Sequence, residues 1–77
     1  MSSLMDPEFK IREVAERIRL TRESVGLTPE EMAEKIGVSS YEYLAYEGGA
    51  KDFSFSFIYK FANATGVEIT DLMEGES

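Results

Sequence analysis

The stretch from Leu27 to Glu47 restricts the fold of this chain more than any other, because it carries the end signals of two short helices. Thr28 can cap a helix that begins at Pro29, and Glu31 stands at the reciprocal position of a capping box. Gly37 is suited to end that helix. The first half of the stretch therefore predicts a helix over Pro29 to Ile36.

The second half of the stretch repeats these signals. Ser39 can cap another helix, with Glu42 three residues later, and Val38 can pack between the two helices. The next helix is predicted over Ser40 to Glu47, where two glycines follow. About two turns of helix, a short turn with a glycine and a second capped helix have the spacing of a helix-turn-helix.

The rest of the chain also reads as helical, so we expect an all-α fold. A first helix is predicted to begin after Asp6 and stop at Gly26, with apolar positions at Phe9, Val14, Ile18, Leu20 and Val25. Residues 53–57, FSFSF, alternate as a strand does, but helical spacing continues through Phe55, Ile58, Phe61, Ala62 and Thr65. A fourth helix is therefore predicted from about Phe55 to Ala64, capped by Ser54. A short last helix is predicted over Ile69 to Met73.

These elements divide the chain into three parts. Residues 1–6 are predicted to be a flexible N-terminus, residues 7–73 the helix-turn-helix domain, and residues 74–77 a tail or the start of a linker. No internal repeat or low-complexity tract interrupts this order.

Size and composition exclude several classes of protein. A chain of 77 residues forms one domain with little room for a large pocket. Cysteine and histidine are both absent, which argues against disulfides, the usual metal sites and the usual catalytic nucleophiles. We expect no enzyme activity, no cofactor and no membrane segment, and a cytoplasmic location.

The charge distribution argues against nucleic-acid binding, the function that two short helices of this kind would suggest. The net charge is −7, whereas proteins that bind nucleic acid carry basic surfaces. Five of the eight cations lie in the first third of the chain, while residues 23–50 hold Lys35 alone against six carboxylates. The simpler interpretation of the basic first helix is a solvated face with intrahelical ion pairs.

From Val14 to Leu72 the order and spacing of these features resembles the phage repressor and Cro type of helix-turn-helix, often called the XRE family. The matching positions need no insertion. They are Leu27, Thr28, Glu31, Met32, Ala33, Ile36, Gly37, Val38, Ser39, Glu47, Gly49, Ala62, Gly66, Val67 and Leu72.

The resemblance implies a compact five-helix, lambda-repressor-like domain that binds specific double-stranded DNA as a homodimer. The third helix, residues 40–47, would be the recognition helix in the major groove. Arg22 and Glu47 match positions that family members join by an ion pair, which would fix the angle of that helix. Some relatives of this type continue into a C-terminal small-molecule sensing domain such as a cupin barrel, and the resemblance extends to such fused regulators.

Carried over position by position, the resemblance gives a set of candidate DNA contacts. The helix N-termini and the loop after the third helix would meet phosphates, and the outward side of the third helix would meet bases. The candidates are Thr28, Ser39, Ser40, Tyr41, Glu42, Leu44, Ala45 and Lys51. The chain departs from the family in lacking Arg, Gln or Asn on this helix, and in having Pro29 where Gln is common. We therefore expect weak binding by this domain alone.

A second hypothesis is a protein interaction or dimerisation module that kept the fold and lost DNA affinity. Eight of the nine aromatic residues lie between Tyr41 and Phe61, and a core this small has limited room for them. Tyr41, Phe53 and Phe57 are the candidates for an exposed apolar patch, which substitution of Phe57 by Asp would test. The alternative is that they complete the core or a homodimer contact.

Overall fold

The computed structural model describes residues 7–74, and five α-helices account for most of them. They are α1 (Pro7–Ser24), α2 (Pro29–Ile36), α3 (Ser40–Glu47), α4 (Phe55–Thr65) and α5 (Ile69–Glu74). The predicted all-α, five-helix fold is confirmed. α4 and α5 each end one residue later than predicted. The expectations for residues 1–6 and 75–77 lie outside the described residues.

The helix-turn-helix is formed by the local signals that predicted it. The Thr28 hydroxyl accepts a hydrogen bond from the Glu31 amide at 3.1 Å, and the Glu31 carboxylate accepts one from the Thr28 amide at 2.9 Å. Gly37 ends α2 with a φ of 81°, a left-handed conformation that only glycine adopts without strain. Ser39 then caps α3 by accepting from the Glu42 amide at 3.0 Å.

The core lies between α1, the helix pair α2 and α3, and the layer of α4 and α5. α2 packs on α3 and α4, while α1 packs on α3 and α5. The fully buried large side chains come from every helix: Val14, Ile18, Met32, Tyr43, Phe61 and Leu72. This arrangement places α3 at the surface, supported from below by three other helices.

The predicted apolar face of α1 is correct at Val14 and Ile18 and wrong further along. Leu20 is 50% exposed and Val25 is 44% exposed. Successive residues are about 100° apart on an α-helix, so Leu20 lies on the far side from Ile18. Val25 follows the last residue of α1. The buried face continues instead through Ala15 and Arg22.

The predicted face of α4 is correct at Ile58, Phe61 and Ala62 and wrong at its start. Phe57 is buried and Phe55 is 73% exposed, because the two lie on opposite sides of the helix. Of the two alternatives for Phe57, the exposed patch is therefore wrong and completion of the core is confirmed. Its ring stacks on that of Tyr46, with centroids 4.0 Å apart.

Candidate nucleic-acid interface

The outward side of α3 is accessible over its whole length. Tyr41 is 85% exposed and Leu44 is 47% exposed, while Ser40, Glu42 and Ala45 are partly exposed. The opposite side is closed, because Tyr43 and Tyr46 are buried as predicted. The structure thus brings five of the candidate residues together on one face of one helix. Their side chains are of three kinds: hydroxyl, carboxylate and apolar.

An ion pair at the C-terminal end of α3 fixes its position. The Arg22 guanidinium donates from Nε to Glu47 Oε2 at 2.8 Å and from Nη2 to Glu47 Oε1 at 3.1 Å. Its third nitrogen, Nη1, donates to the Leu27 carbonyl at 2.7 Å. One side chain therefore ties the end of α1, the turn before α2 and the end of α3. The two side chains are only 10% and 9% exposed.

Tyr43 completes this cluster. Its hydroxyl donates to Glu47 Oε2 at 2.7 Å, so the carboxylate accepts from both a guanidinium and a phenol. Burial, followed by the hydrogen bond to Glu47, raises the pKa of Tyr43 well above its usual value. The hydrogen bond to Glu47 also raises the pKa of Arg22. Arg22 is therefore charged and Tyr43 neutral at neutral pH.

Aromatic stacking supports α3 from beneath. Tyr46 lies against Phe57 and against Phe53, whose ring centroid is 5.4 Å away. Tyr43 also contacts Phe57, at 5.9 Å. Aromatic pairs of this kind add to the free energy of burial. α3 thus rests on a layer of packed aromatic rings, which helps to hold its outward side chains in place.

The N-termini of α2 and α3 offer hydrogen-bond donors to an anion. The first amides of an α-helix have no partner within the helix. In α3 these are the amides of Ser40 and Tyr41, and in α2 the amide of Glu30 alone, because Pro29 has no N–H. The hydroxyls of Thr28 and Ser39 accept from their own helices, and neither donates to any residue between Pro7 and Glu74.

Lys51, the candidate in the loop after α3, has two contacts within the domain. Its Nζ lies 3.9 Å from Glu42 Oε2 and 4.6 Å from the centroid of the Tyr46 ring. Both charged side chains remain over 40% exposed. The structure therefore places Lys51 alongside α3, between Glu42 and Tyr46, where part of its charge is offset by Glu42.

Two contacts that shape this region were not predicted from the sequence. Arg17, expected on a solvated face, donates to the carbonyls of Leu72 and Met73 at 3.0 and 3.2 Å and so caps the end of α5. Gly49 has a φ of 75°, and a Cβ there would lie 3.3 Å from Arg12. The second of two adjacent glycines, Gly49, was a local signal for the close approach to Arg12. The contact of Arg17 with α5 joins residues far apart in the chain, and no local signal marks it.

Within residues 7–74, no group of three or more acidic side chains is placed to hold a metal ion. None of the helices described is long and apolar enough to cross a membrane.

Residues 15–77 match a family described as a helix-turn-helix domain. This chain is a helix-turn-helix domain of the phage repressor and Cro type. The match begins within α1 and runs to the end of the chain, so it includes the cluster around Glu47 and the outward side of α3.

Two known proteins resemble this helix-turn-helix domain. The chain is 30% identical over 63 residues to the uncharacterized HTH-type transcriptional regulator YqaE of Bacillus subtilis (strain 168), a match that covers 82% of this chain. The chain spans about half, 54%, of the length of that relative. The fold is also similar to the crystal structure of the P22 c2 repressor protein in complex with synthetic operator 9T. There the TM-score is 0.75 at 19% identity, over 82% of this chain and 96% of the repressor chain.

Proposed function

We propose that this domain binds specific double-stranded DNA as part of a transcriptional regulator, with α3 in the major groove. One observation carries the proposal: α3 is held by the Arg22–Glu47 pair while its opposite side stays open to solvent. The name of the Bacillus subtilis relative and the operator bound to the P22 repressor support the same role. A helix of eight residues is long enough to lie across the groove, because its outward side chains span about 10 Å.

The bases would be read by five short contacts. Ser40 and Tyr41 supply hydroxyls that donate or accept, and Glu42 accepts from a cytosine amino group. Leu44 and Ala45 are apolar and suit a thymine methyl group. Because none of these is a bidentate Arg, Gln or Asn contact, we expect discrimination below the roughly 1–3 kcal/mol per base that such contacts provide.

The phosphates would be met by few groups. The donors are the hydroxyls of Thr28 and Ser39, the first amides of α3, and the ammonium of Lys51. Two or three phosphate contacts predict a slope of about −2 to −3 for log affinity against log salt, far shallower than that of a strongly basic repressor. The net charge of −7 further weakens the encounter.

Weak binding by one domain is compensated if two copies act together. We include in the proposal a homodimer on two half-sites about one helical turn apart, since two linked contacts bind far more tightly than one. A C-terminal sensing domain in a longer protein is part of the same proposal. It is supported by the curated relative, which has about as much chain outside the matched region as within it.

Fluorescence anisotropy tests DNA recognition directly. The domain is titrated against duplexes from upstream of its own coding region and against pooled random duplexes, at about 50 and 200 mM salt. We expect weak, salt-sensitive binding that favours the upstream duplex, and loss of that preference in Ser40→Ala/Tyr41→Ala. Equal affinity for both pools, or no binding at the lower salt by a domain that is folded by circular dichroism, would contradict the proposal.

An interaction module is the second candidate, and the acidic charge and the exposed rings of α4 favour it. If the folded domain binds no duplex at low salt, this candidate replaces the first. The same samples then serve for a mass measurement, because self-association does not need DNA.

A further inference from the structure

A cleft opens between the end of α2 and the second half of α4. It has a volume of about 460 Å³ and is lined by Lys35, Ile36, Lys60, Asn63 and Ala64. The three residues from α4 are three and four positions apart, so they share one face of that helix, which packs on α2. Ile36 is buried and Ala64 is half-buried, whereas both lysines and Asn63 are exposed. The cleft therefore has an apolar floor and a cationic rim.

Neither lysine of the cleft has an ion pair with any carboxylate of residues 9–74, the part of the chain whose side chains the structure describes. Five other cations do pair with carboxylates there: Lys10, Arg17, Arg19, Arg22 and Lys51. Carboxylates are not scarce, because the chain has fifteen acidic residues against eight basic ones. The cleft thus brings together two positive charges with which an anion from outside the domain can pair.

An acidic peptide segment suits this combination of floor and rim. The ammonium groups of the two lysines and the side-chain amide of Asn63 donate hydrogen bonds, which carboxylates accept. An apolar side chain between two carboxylates would cover Ile36 and Ala64 and remove apolar surface from water. The volume lies within the range of sites that hold small ligands, so it suits a few side chains of a partner.

A nucleic acid suits the cleft less well. A duplex carries one negative charge about every 1.7 Å along its axis, so its further phosphates would lie against a chain with a net charge of −7. A short acidic segment brings only a few charges. The phosphate backbone also has no apolar group to cover the floor formed by Ile36 and Ala64.

A second copy of the chain also suits the cleft less well. Its α1 does carry an exposed leucine, Leu20, between two carboxylates, those of Glu16 and Glu23. Both carboxylates, however, already accept hydrogen bonds from Arg19. Two copies would each carry a net charge of −7 and repel each other. The fitting occupant is therefore a different protein.

We propose that this cleft, with Lys35 and Lys60 above Ile36 and Ala64, binds an acidic segment of a partner protein in which an apolar side chain lies between two carboxylates. None of the candidate DNA contacts lines the cleft, so the partner and a duplex do not compete for the same residues. The proposal goes beyond DNA binding and does not depend on it.

The exposure of the two lysines sets the strength of the contact. Exposed ion pairs contribute little individually, so a short peptide alone binds weakly. We expect a dissociation constant on the order of 1 mM. Neutralising both lysines should raise it by about five- to tenfold.

Nuclear magnetic resonance tests the contact, because it follows weak binding at each backbone amide. The isotope-labelled domain is titrated at constant salt with the capped peptide Gly-Glu-Leu-Glu-Gly, up to about 10 mM. One control peptide, Gly-Gln-Leu-Gln-Gly, lacks the charges, and another, Gly-Glu-Gly-Glu-Gly, lacks the apolar side chain. We expect the acidic leucine peptide to shift the amides of the residues that line the cleft, and each control peptide to bind at least about threefold more weakly.

Two double variants test the role of the lysines. Lys35→Gln/Lys60→Gln removes the charges of the cleft, and Lys10→Gln/Lys51→Gln is the matched control. Both variants lose two exposed lysines, but Lys10 and Lys51 pair with carboxylates outside the cleft. We expect about five- to tenfold weaker binding in the first variant and a change within about twofold in the second. The same spectra check that both remain folded.

Several results would overturn the proposal. They are the absence of shifts at the cleft, equal binding of the uncharged peptide, and equal weakening in the two double variants. Inorganic phosphate or random duplex DNA that shifts the same amides at lower concentration than the peptide would assign the cleft to phosphate instead. Shifts on concentrating the domain alone, lost in Lys35→Gln/Lys60→Gln, would assign it to a second copy. None of these results depends on the preference for upstream DNA, which the anisotropy titration measures separately.

Discussion

A carboxylate lies near each end of α3, and the two differ in burial and in their partners. Glu47, at the C-terminal end, is 9% exposed and accepts hydrogen bonds from Arg22 and Tyr43. Glu42, near the N-terminal end, is 41% exposed and lies 3.9 Å from Lys51. The same chemical group thus serves the fold at one end of the helix and remains available to a ligand at the other.

This contrast teaches how a short helix can be both fixed and open. A buried charge must keep its partners, because an unpaired one costs several kcal/mol, so the cluster around Glu47 holds α3 in one place. An exposed pair contributes little and is easily exchanged for another partner. Substitutions at the C-terminal end should therefore affect stability, and those at the N-terminal end should affect binding.

The largest effect is expected from Glu47→Ala. It leaves the Arg22 guanidinium buried without its partner, and we expect a loss of about 3–5 kcal/mol in the free energy of unfolding. Urea denaturation followed by circular dichroism measures it, with Glu42→Ala as the matched control, for which we expect a change within about 1 kcal/mol. Similar losses in the two variants would remove the distinction between the two ends.

Tyr43→Phe sharpens the comparison within the buried cluster. The change removes one hydrogen bond to a charged acceptor, and we expect a loss of about 1.5–3 kcal/mol. The same variant tests the raised pKa of Tyr43. In the folded domain Tyr43 keeps its proton, while in the unfolded chain it loses it above a pH of about 10. Stability from this group is therefore complete below pH 10 and falls as the pH rises further.

Urea denaturation at about pH 9 and pH 11 measures this dependence on either side of the ordinary tyrosine pKa. We expect the free energy of unfolding to fall more steeply with pH in the unsubstituted domain than in Tyr43→Phe. Equal slopes would show that the phenol titrates alike in the folded and unfolded states.

Glu42→Gln tests the exposed end. Removing the carboxylate frees Lys51, so we expect stability within about 1 kcal/mol of the unsubstituted domain and affinity for random duplex DNA raised by up to about fivefold. Preference for the upstream duplex should fall if Glu42 accepts from a cytosine. Glu34→Gln is the control, since it makes the same charge change on the exposed side of α2. An equal gain in Glu34→Gln would assign the effect to net charge alone.

The smallest effect on stability is expected from Tyr41→Ala, because the side chain is 85% exposed. We expect a change within about 0.5 kcal/mol. Anisotropy should nevertheless show a reduced preference for the upstream duplex, and Tyr41→Phe separates the hydroxyl from the ring. A loss of stability comparable to that of Tyr43→Phe would mean that both ends of α3 serve the fold.

Much of the fold could be predicted because its signals are local. The caps at Thr28 and Ser39 and the glycine at Gly37 each act within a few residues, and they gave the bounds of α2 and α3 correctly. The inward positions of Tyr43 and Tyr46 followed from helical spacing. The predicted DNA contacts on α3 share one open face, but their roles stay predictions.

Which side of each longer helix faces the core was harder to predict from the sequence, because apolar residues occur on both sides of these helices. Phe55 and Phe57 are chemically identical and two positions apart, and only the packing of α4 against α3 decides that Phe57 is inside. Sequence spacing chose the wrong one. The exposed patch therefore lies at Phe55 and Tyr59 rather than at Phe57.

The sequence by itself determined the ends of α2 and α3, the all-α class and the resemblance to the phage repressor type, since these depend on neighbouring residues and on spacing. Tertiary structure decided which charges are buried and which rings are exposed. Arg17 reaches the end of α5, Lys51 meets Glu42, and Glu47 receives both Arg22 and Tyr43. These contacts, apart from that of Tyr43, join separate elements, and a side chain's burial and partners depend on what the fold places against it.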